Sequence, residues 1–209
     1  MITLYIDTSS SYLYSGIVKD SNLLVEVQEE LGHNLSEVAL PKIVEMFDNA
    51  NLSAKDIDKI IVVNGPGSFT GIRVGLTIAK VFAWSLNIPI TTITSLEAMA
   101  TSINSDKLLV PVIDARHGCV YAAIYNKDRV ILKPSYIKLE DLYNKLSSEC
   151  VFITNDEIDL NSEKSGYIPN ILNIVNKFVD KKEINPHLVN PEYLKLTAAE
   201  ESKLNGNWS

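Results

Sequence analysis

The chain has 209 residues, long enough for one large domain or two small ones with a substantial core. Hydrophobic residues make up 46% and charged residues 22%, as in an ordinary globular protein, and a net charge of −7 argues against a chain that grips a nucleic-acid backbone by itself. Cys119 and Cys150 are too few and too far apart for a disulfide framework or a zinc cluster, which predicts a reduced, cytoplasmic setting.

Met1-Ile2-Thr3 enters a strand directly with no basic leader, and no apolar run is expected to approach membrane-spanning length, so no membrane partner is expected. Residues 2–6 read as a strand ending at Asp7, followed by the hydroxyl-rich turn Thr8-Ser9-Ser10-Ser11. Residues 13–19 and 23–29 complete a three-stranded meander. Between 34 and 50, Leu35, Val38, Ala39, Ile43, Met46 and Phe47 recur at nearly helical period. Pro41 lies inside that pattern and predicts a kink, or a helix that begins near it.

Ile60-Ile61-Val62-Val63 reads as a buried strand, and Gly65-Pro66-Gly67 forces a tight turn after it. Ser68 or Thr70 caps the helix that follows, which Asn87 and Pro89 end. A helix N-terminus behind a glycine turn suits phosphate. The P-loop pattern fits in no register, however, and the dinucleotide pattern finds Thr70 where its third glycine belongs, so a structural turn is expected. In the helix, Gly71, Gly75, Ala79 and Ala83 form one stripe with almost no side chain. Two helical glycines cost roughly 1 kcal/mol each relative to alanine. Close approach of another backbone offsets that cost, whether a partner's or that of the chain's own sheet or a neighbouring helix. Arg73, Thr77, Lys80 and Trp84 form a second, polar stripe that suits a partner-facing or a solvated surface. A strand over 88–93 and a helix capped by Ser95 follow.

The second half opens like the first, with a strand from Leu109 to Ile113 ending at Asp114 and a turn at Arg116-His117-Gly118. Strands are expected over 119–125, 129–133 and 150–154, and helices over 139–147 and 169–180. From Asn185 the chain reads as a tail draped across the body. Sliding the chain so that Asp7 falls on Asp114 also places Ile6 on Ile113, Tyr14 on Tyr121 and Ile17 on Ile124 without a gap. The expected fold is therefore α/β and two-lobed, a duplicated actin-like (ASKHA, ribonuclease H-like) architecture with lobes 1–103 and 104–209. Asp7 and Asp114 would then face each other across a cleft, where paired carboxylates suit a magnesium nucleotide and Thr8, Ser9 and Ser10 offer groups to phosphate. Alternatively, each aspartate caps its own turn.

Asp7-Thr8-Ser9, the run from Gly65 to Gly75, and Asp114-Ala115-Arg116 with Val120-Tyr121 together resemble the bacterial TsaB (YeaZ) family. His33 through Pro41 resembles that family's first helix, and Pro191-Glu192-Tyr193-Leu194 carries the likeness past about residue 125. The resemblance implies a role in making N6-threonylcarbamoyladenosine (t6A) at position 37 of tRNAs that read codons beginning with A. It implies a non-catalytic scaffold that pairs with the catalytic TsaD, is joined by the ATPase TsaE, forms a homodimer when alone, and meets tRNA only through the complex. The implied pairing surface is the first helix with the post-glycine helix, placing Leu35, Val38, Ala39, Gly71, Gly75, Ala79 and Ala83 at an interface. No cofactor of its own is implied; ATP and magnesium serve the complex. The catalytic relative's His-x-x-x-His metal pair falls, counting on from Gly65, at Ser95 and Met99, which are poor ligands for such a metal. His33, His117 and His187 stand at no metal-binding spacing. The contrasting expectation is an enzyme acting alone, an ATP hydrolase or a metallopeptidase leaning on Asp7, Asp114 and the turn at 8–11.

Overall fold

The computed structural model describes residues 1–127 and 129–195; the remainder of the expected tail lies outside the described residues. Its first half runs β1 (Ile2–Asp7), β2 (Tyr12–Lys19), β3 (Asn22–Glu30), α1 (Leu35–Asn49), β4 (Lys59–Val63), α2 (Phe69–Leu86), β5 (Ile90–Ile93) and α3 (Ser95–Thr101). The second runs β6 (Leu108–Asp114), β7 (Cys119–Asn126), β8 (Arg129–Lys138), α4 (Leu139–Tyr143), β9 (Cys150–Ile153), β10 (Lys164–Ser165) and α5 (Ile171–Phe178). The sheets are ordered β3-β2-β1-β4-β5 and β10-β9-β6-β7-β8, the same order read from opposite ends. In each, the first strand pairs antiparallel with the second and parallel with the fourth. The duplicated α/β architecture expected from the sequence is the one observed.

Strand alternation sorts the core into layers. Leu4 and Ile6 of β1, with Ile60 and Val62 of β4, pack beneath α1 and α2. Tyr5, Ile61 and Val63 face the other way, into a cluster shared with α3, α5 and the second sheet. Helices are exchanged across this shared layer: α3 packs on β6 and β7, while α5 packs on β1, β2 and β3. Gly16 of β2 makes room for α5, since a Cβ there would lie 2.9 Å from Ile171 Cγ2. The outer face of the second sheet packs on α4.

Several local expectations are corrected. Pro41 lies within α1, and the helix runs continuously from Leu35. Ser68 caps α2 by accepting from the Gly71 amide, but α3 is capped by Thr94, in a capping box with Glu97, one residue before the expected Ser95. The terminal helices are shorter than expected; α5 starts behind Asn170, whose side chain accepts from the Asn173 amide. By length and mean hydropathy (1.2 over 18 residues), α2 does pass for a membrane span, contrary to the expectation. Its apolar stripe lies instead on the sheet's outer face.

Candidate functional site

An open cleft of about 1280 Å³ separates the lobes. Ser9, Ser10, Tyr12, Tyr14 and Glu30 line it from the first lobe; Asp114, Arg116, Tyr121, Asp156 and Tyr167 line it from the second. Gly67 of the glycine turn and Ser95 and Met99 of α3 also line it, so the two positions counted for a metal pair do face the cleft, as a hydroxyl and a thioether. Among the described residues, no three or more His, Cys, Asp or Glu side chains are grouped to hold a metal.

The structure does not bring Asp7 and Asp114 together as facing carboxylates. Asp7 continues the face of Tyr5 and is fully buried, with Oδ1 accepting from the Ser9 amide at 2.8 Å and Oδ2 from the Tyr5 hydroxyl at 3.4 Å. Burial pushes its carboxyl above the ordinary range, against those hydrogen bonds, which lower it. Tyr14 is pushed up to about 12, first by burial and then by the Asp7 charge; burial likewise holds Tyr5 and Tyr167 well above the usual phenol range. Asp114 shares the face of Leu108, Val110 and Val112, on the opposite side of its sheet, and stays exposed. The reason is register. Leu4 pairs with Ile17 in the first lobe, whereas Leu109 pairs with Tyr125 in the second, so the first strands of the repeat are offset by one residue from the alignment that superimposes the second strands. A one-residue offset turns every side chain to the other face. Each aspartate caps its own turn: Asp114 Oδ1 accepts from the Arg116 amide at 2.8 Å, as Asp7 does from Ser9.

The groups expected to meet phosphate are already engaged. Thr8 is buried beneath α2 and donates to the Gly71 carbonyl at 2.7 Å. The Ser9 carbonyl accepts from the Ser68 amide at 2.7 Å, and Ser10 Oγ accepts from the Tyr12 amide at 3.1 Å. Ser9 and Ser10 do reach the cleft, but its walls carry three carboxylates, Glu30, Asp114 and Asp156, against one guanidinium, Arg116. That balance disfavours an unaccompanied polyphosphate. Sequence reasoning missed Glu30, Asp156 and the tyrosine lining because they lie on separate strands and loops that only folding gathers.

The expected interface stripe is also corrected. Gly71, Gly75, Ala79 and Ala83 are buried within the monomer. A Cβ on Gly71 would collide with the Thr8 carbonyl oxygen, and one on Gly75 with Thr8 Oγ1. The close backbone approach that justifies these glycines is the end of β1, not a partner. Ala39 is buried in the same layer, Leu35 is buried as well, and Val38 is half-buried. What α1 and α2 turn outward is another set: Leu40 (44% exposed), Val44 (48%), Val81 (57%) and Trp84 (67%). The helices pack side by side, with Phe47 and Phe82 stacked at 6.0 Å. The i, i+4 pair Leu40 and Val44 was the available signal, masked by the stronger periodicity of the buried face.

Residues 27–170 match the family model described as "TsaD: tRNA N6-adenosine threonylcarbamoyltransferase". The chain is 37% identical over 134 residues to the tRNA threonylcarbamoyladenosine biosynthesis protein TsaB of Bacillus subtilis, covering 64% of this chain and 58% of that one. It is 31% identical over 127 residues to the protein of the same description in Escherichia coli, covering 54% of each. The matched region thus spans little more than half the length of these curated relatives. YeaZ from Pseudomonas aeruginosa superimposes with a TM-score of 0.78 over 92% of this chain and 99% of that one, at 17% identity, a likeness of fold. With its matched segment reaching across both sheets, the chain belongs to the TsaD family of that model, and the curated relatives it resembles there carry the TsaB description.

Proposed function

We propose that this chain is a non-catalytic scaffold in the formation of t6A at position 37 of tRNAs reading codons that begin with A. In this reading it pairs with a TsaD-like catalytic subunit, is joined by a TsaE-like ATPase, and meets tRNA through that assembly. The observation that carries the pairing is the outward apolar ridge of α1 and α2: Leu40, Val44, Val81 and Trp84 are exposed on two adjacent helices. A cluster of large apolar side chains left in water on packed helices suits a protein partner better than solvent. A TsaD-like subunit is favoured as occupant because the chain shares that family's sequence model, and related folds pair through equivalent surfaces. A second copy of this chain on the same ridge accounts for a homodimer when the subunit is alone. Ser95 and Met99 at the cleft favour a supporting role over a catalytic one.

Gel filtration of the chain mixed with a TsaD-like subunit at micromolar concentration tests this. A single heterodimer peak is expected, lost on Val81→Asp with the circular dichroism of the isolated chain unchanged. Two separate peaks for the unaltered proteins would overturn the reading. The rival, a self-sufficient ATP hydrolase or metallopeptidase, has a cleft of adequate size but no cation-rich wall to hold phosphates.

A further inference from the structure

After α5 the chain returns to the first lobe as a strap, residues 184–195, and its grip is unusual in kind. The Ile184 amide donates to the Ile90 carbonyl at 2.8 Å, covering the free edge of β5. Lys80 Nζ donates to the Val189 carbonyl at 3.0 Å, and the Glu192 amide donates to the Asn64 carbonyl at 2.8 Å. Arg73 Nε donates to the Tyr193 hydroxyl at 3.1 Å, with Tyr193 stacked on Phe69 at 5.8 Å and the Arg73 guanidinium 3.8 Å above the same ring. Lys195 then reaches the second lobe, 5.2 Å over the Tyr136 ring. Arg73 and Lys80 of the polar stripe of α2 are therefore occupied by the chain's own strap. Val189 alone in the strap is a fully buried side chain, while Leu188 and Tyr193 are largely exposed. A segment held by hydrogen bonds, with Val189 buried and Ile184 partly buried against the first-lobe core, opens at far lower cost than the core itself.

The strap lies on the outer side of the glycine turn, and the cleft lies on its inner side. A Cβ on Gly65 would sit 3.1 Å from the Glu192 carbonyl oxygen, so the two backbones are in direct contact. From the same turn, the Gly65 carbonyl accepts from the Ser95 amide at 2.9 Å and the Pro66 carbonyl from Ser95 Oγ at 2.5 Å. Gly67, Ser68 and Ser95 are cleft wall. We propose that residues 184–195 form a releasable clasp, coupled through the Gly65-Pro66-Gly67 turn to the wall of the inter-lobe cleft. A change at the cleft that shifts the turn biases the clasp, and release of the clasp loosens the wall to the same extent, because such coupling is reciprocal. The proposal stands independently of the pairing surface, since none of the strap's hydrogen bonds is made by Leu40, Val44, Val81 or Trp84.

Amide hydrogen exchange followed by NMR on the full chain tests it, comparing the unaltered protein with Lys80→Met and with Tyr193→Ala. Both variants keep Val189 and Ile184 and so spare the strap's apolar contacts. In the unaltered chain, the Ile184 and Glu192 amides are expected to exchange through an opening at least about tenfold more frequent than that of Ile61 in β4. In either variant, exchange at Glu192 rises about fivefold, and the amides of Ser68 and Ser95 follow it while Ile61 does not move. Strap amides exchanging only at the rate of Ile61 would overturn the clasp. Acceleration at Glu192 with Ser68 and Ser95 unmoved would overturn the coupling.

Discussion

Single atoms decide the character of both helical glycines. The Thr8 carbonyl and hydroxyl occupy the space that side chains at Gly71 and Gly75 would need. Gly71→Ala is expected to destabilise the protein by about 1–3 kcal/mol in chemical denaturation, because its neighbour is backbone and cannot rotate away. At Gly75 the neighbour is the Thr8 hydroxyl, which is bonded to the Gly71 carbonyl, so Gly75→Leu breaks that bond as well and should unfold the first lobe, which makes it no probe of pairing. Asp7 makes the opposite prediction. Its carboxyl is buried among Tyr5, Tyr14 and Tyr167 with its pKa raised in the folded state, chiefly by burial. The folded protein therefore holds this proton more tightly than the unfolded chain, and stability falls as pH rises from the ordinary carboxylate value through the raised one. Asp7→Asn keeps an acceptor for the Ser9 amide without the charge. Relative to the unaltered protein it should gain stability across that window and level off above it, as measured by urea midpoints against pH.

Among the secondary-structure elements, α5 shows how a connection is fastened. Lys59, buried at the start of β4, donates from Nζ to the carbonyls of Val179 and Lys181, just past the end of α5, and lies 3.7 Å from Glu183. A cation on orphan carbonyls at a helix C-terminus is favourable twice over, as hydrogen-bond donor and as charge against the helix dipole. Lys59→Met keeps the stem but removes the bond to the Val179 carbonyl and leaves the Lys181 carbonyl only its bond from Thr91 Oγ1, and should cost about 1–3 kcal/mol in thermal or urea unfolding. The α1–α2 ridge behaves differently. Val81→Asp exchanges one exposed side chain for another and should leave the monomer's unfolding midpoint within about 0.5 kcal/mol while abolishing pairing. An equal loss of stability would mean that the ridge serves the fold and not a partner.

Across the whole molecule, the cleft is large enough for a nucleotide, but its walls set three carboxylates against one guanidinium, and Asp7 and Asp114 do not face each other as a pair for magnesium. Titration of the isolated chain with magnesium ATP is expected to give a dissociation constant no tighter than about 1 mM, near −4 kcal/mol. Submicromolar binding would instead favour the self-sufficient enzyme.

The residues alone determined the element order, apart from the short β10, and the duplication, because strand alternation, glycine turns and helical period are local signals that survive without neighbours; the family was legible only through the likeness of particular motifs. Only tertiary structure decided which way things face. One residue of register separates Asp7, buried in the layer between the sheets, from Asp114, exposed at the cleft. Likewise, a stripe of small residues says that some backbone comes close without saying whose. That answer depends on where β1 ends beneath α2, a contact between residues far apart in the chain that no local pattern encodes.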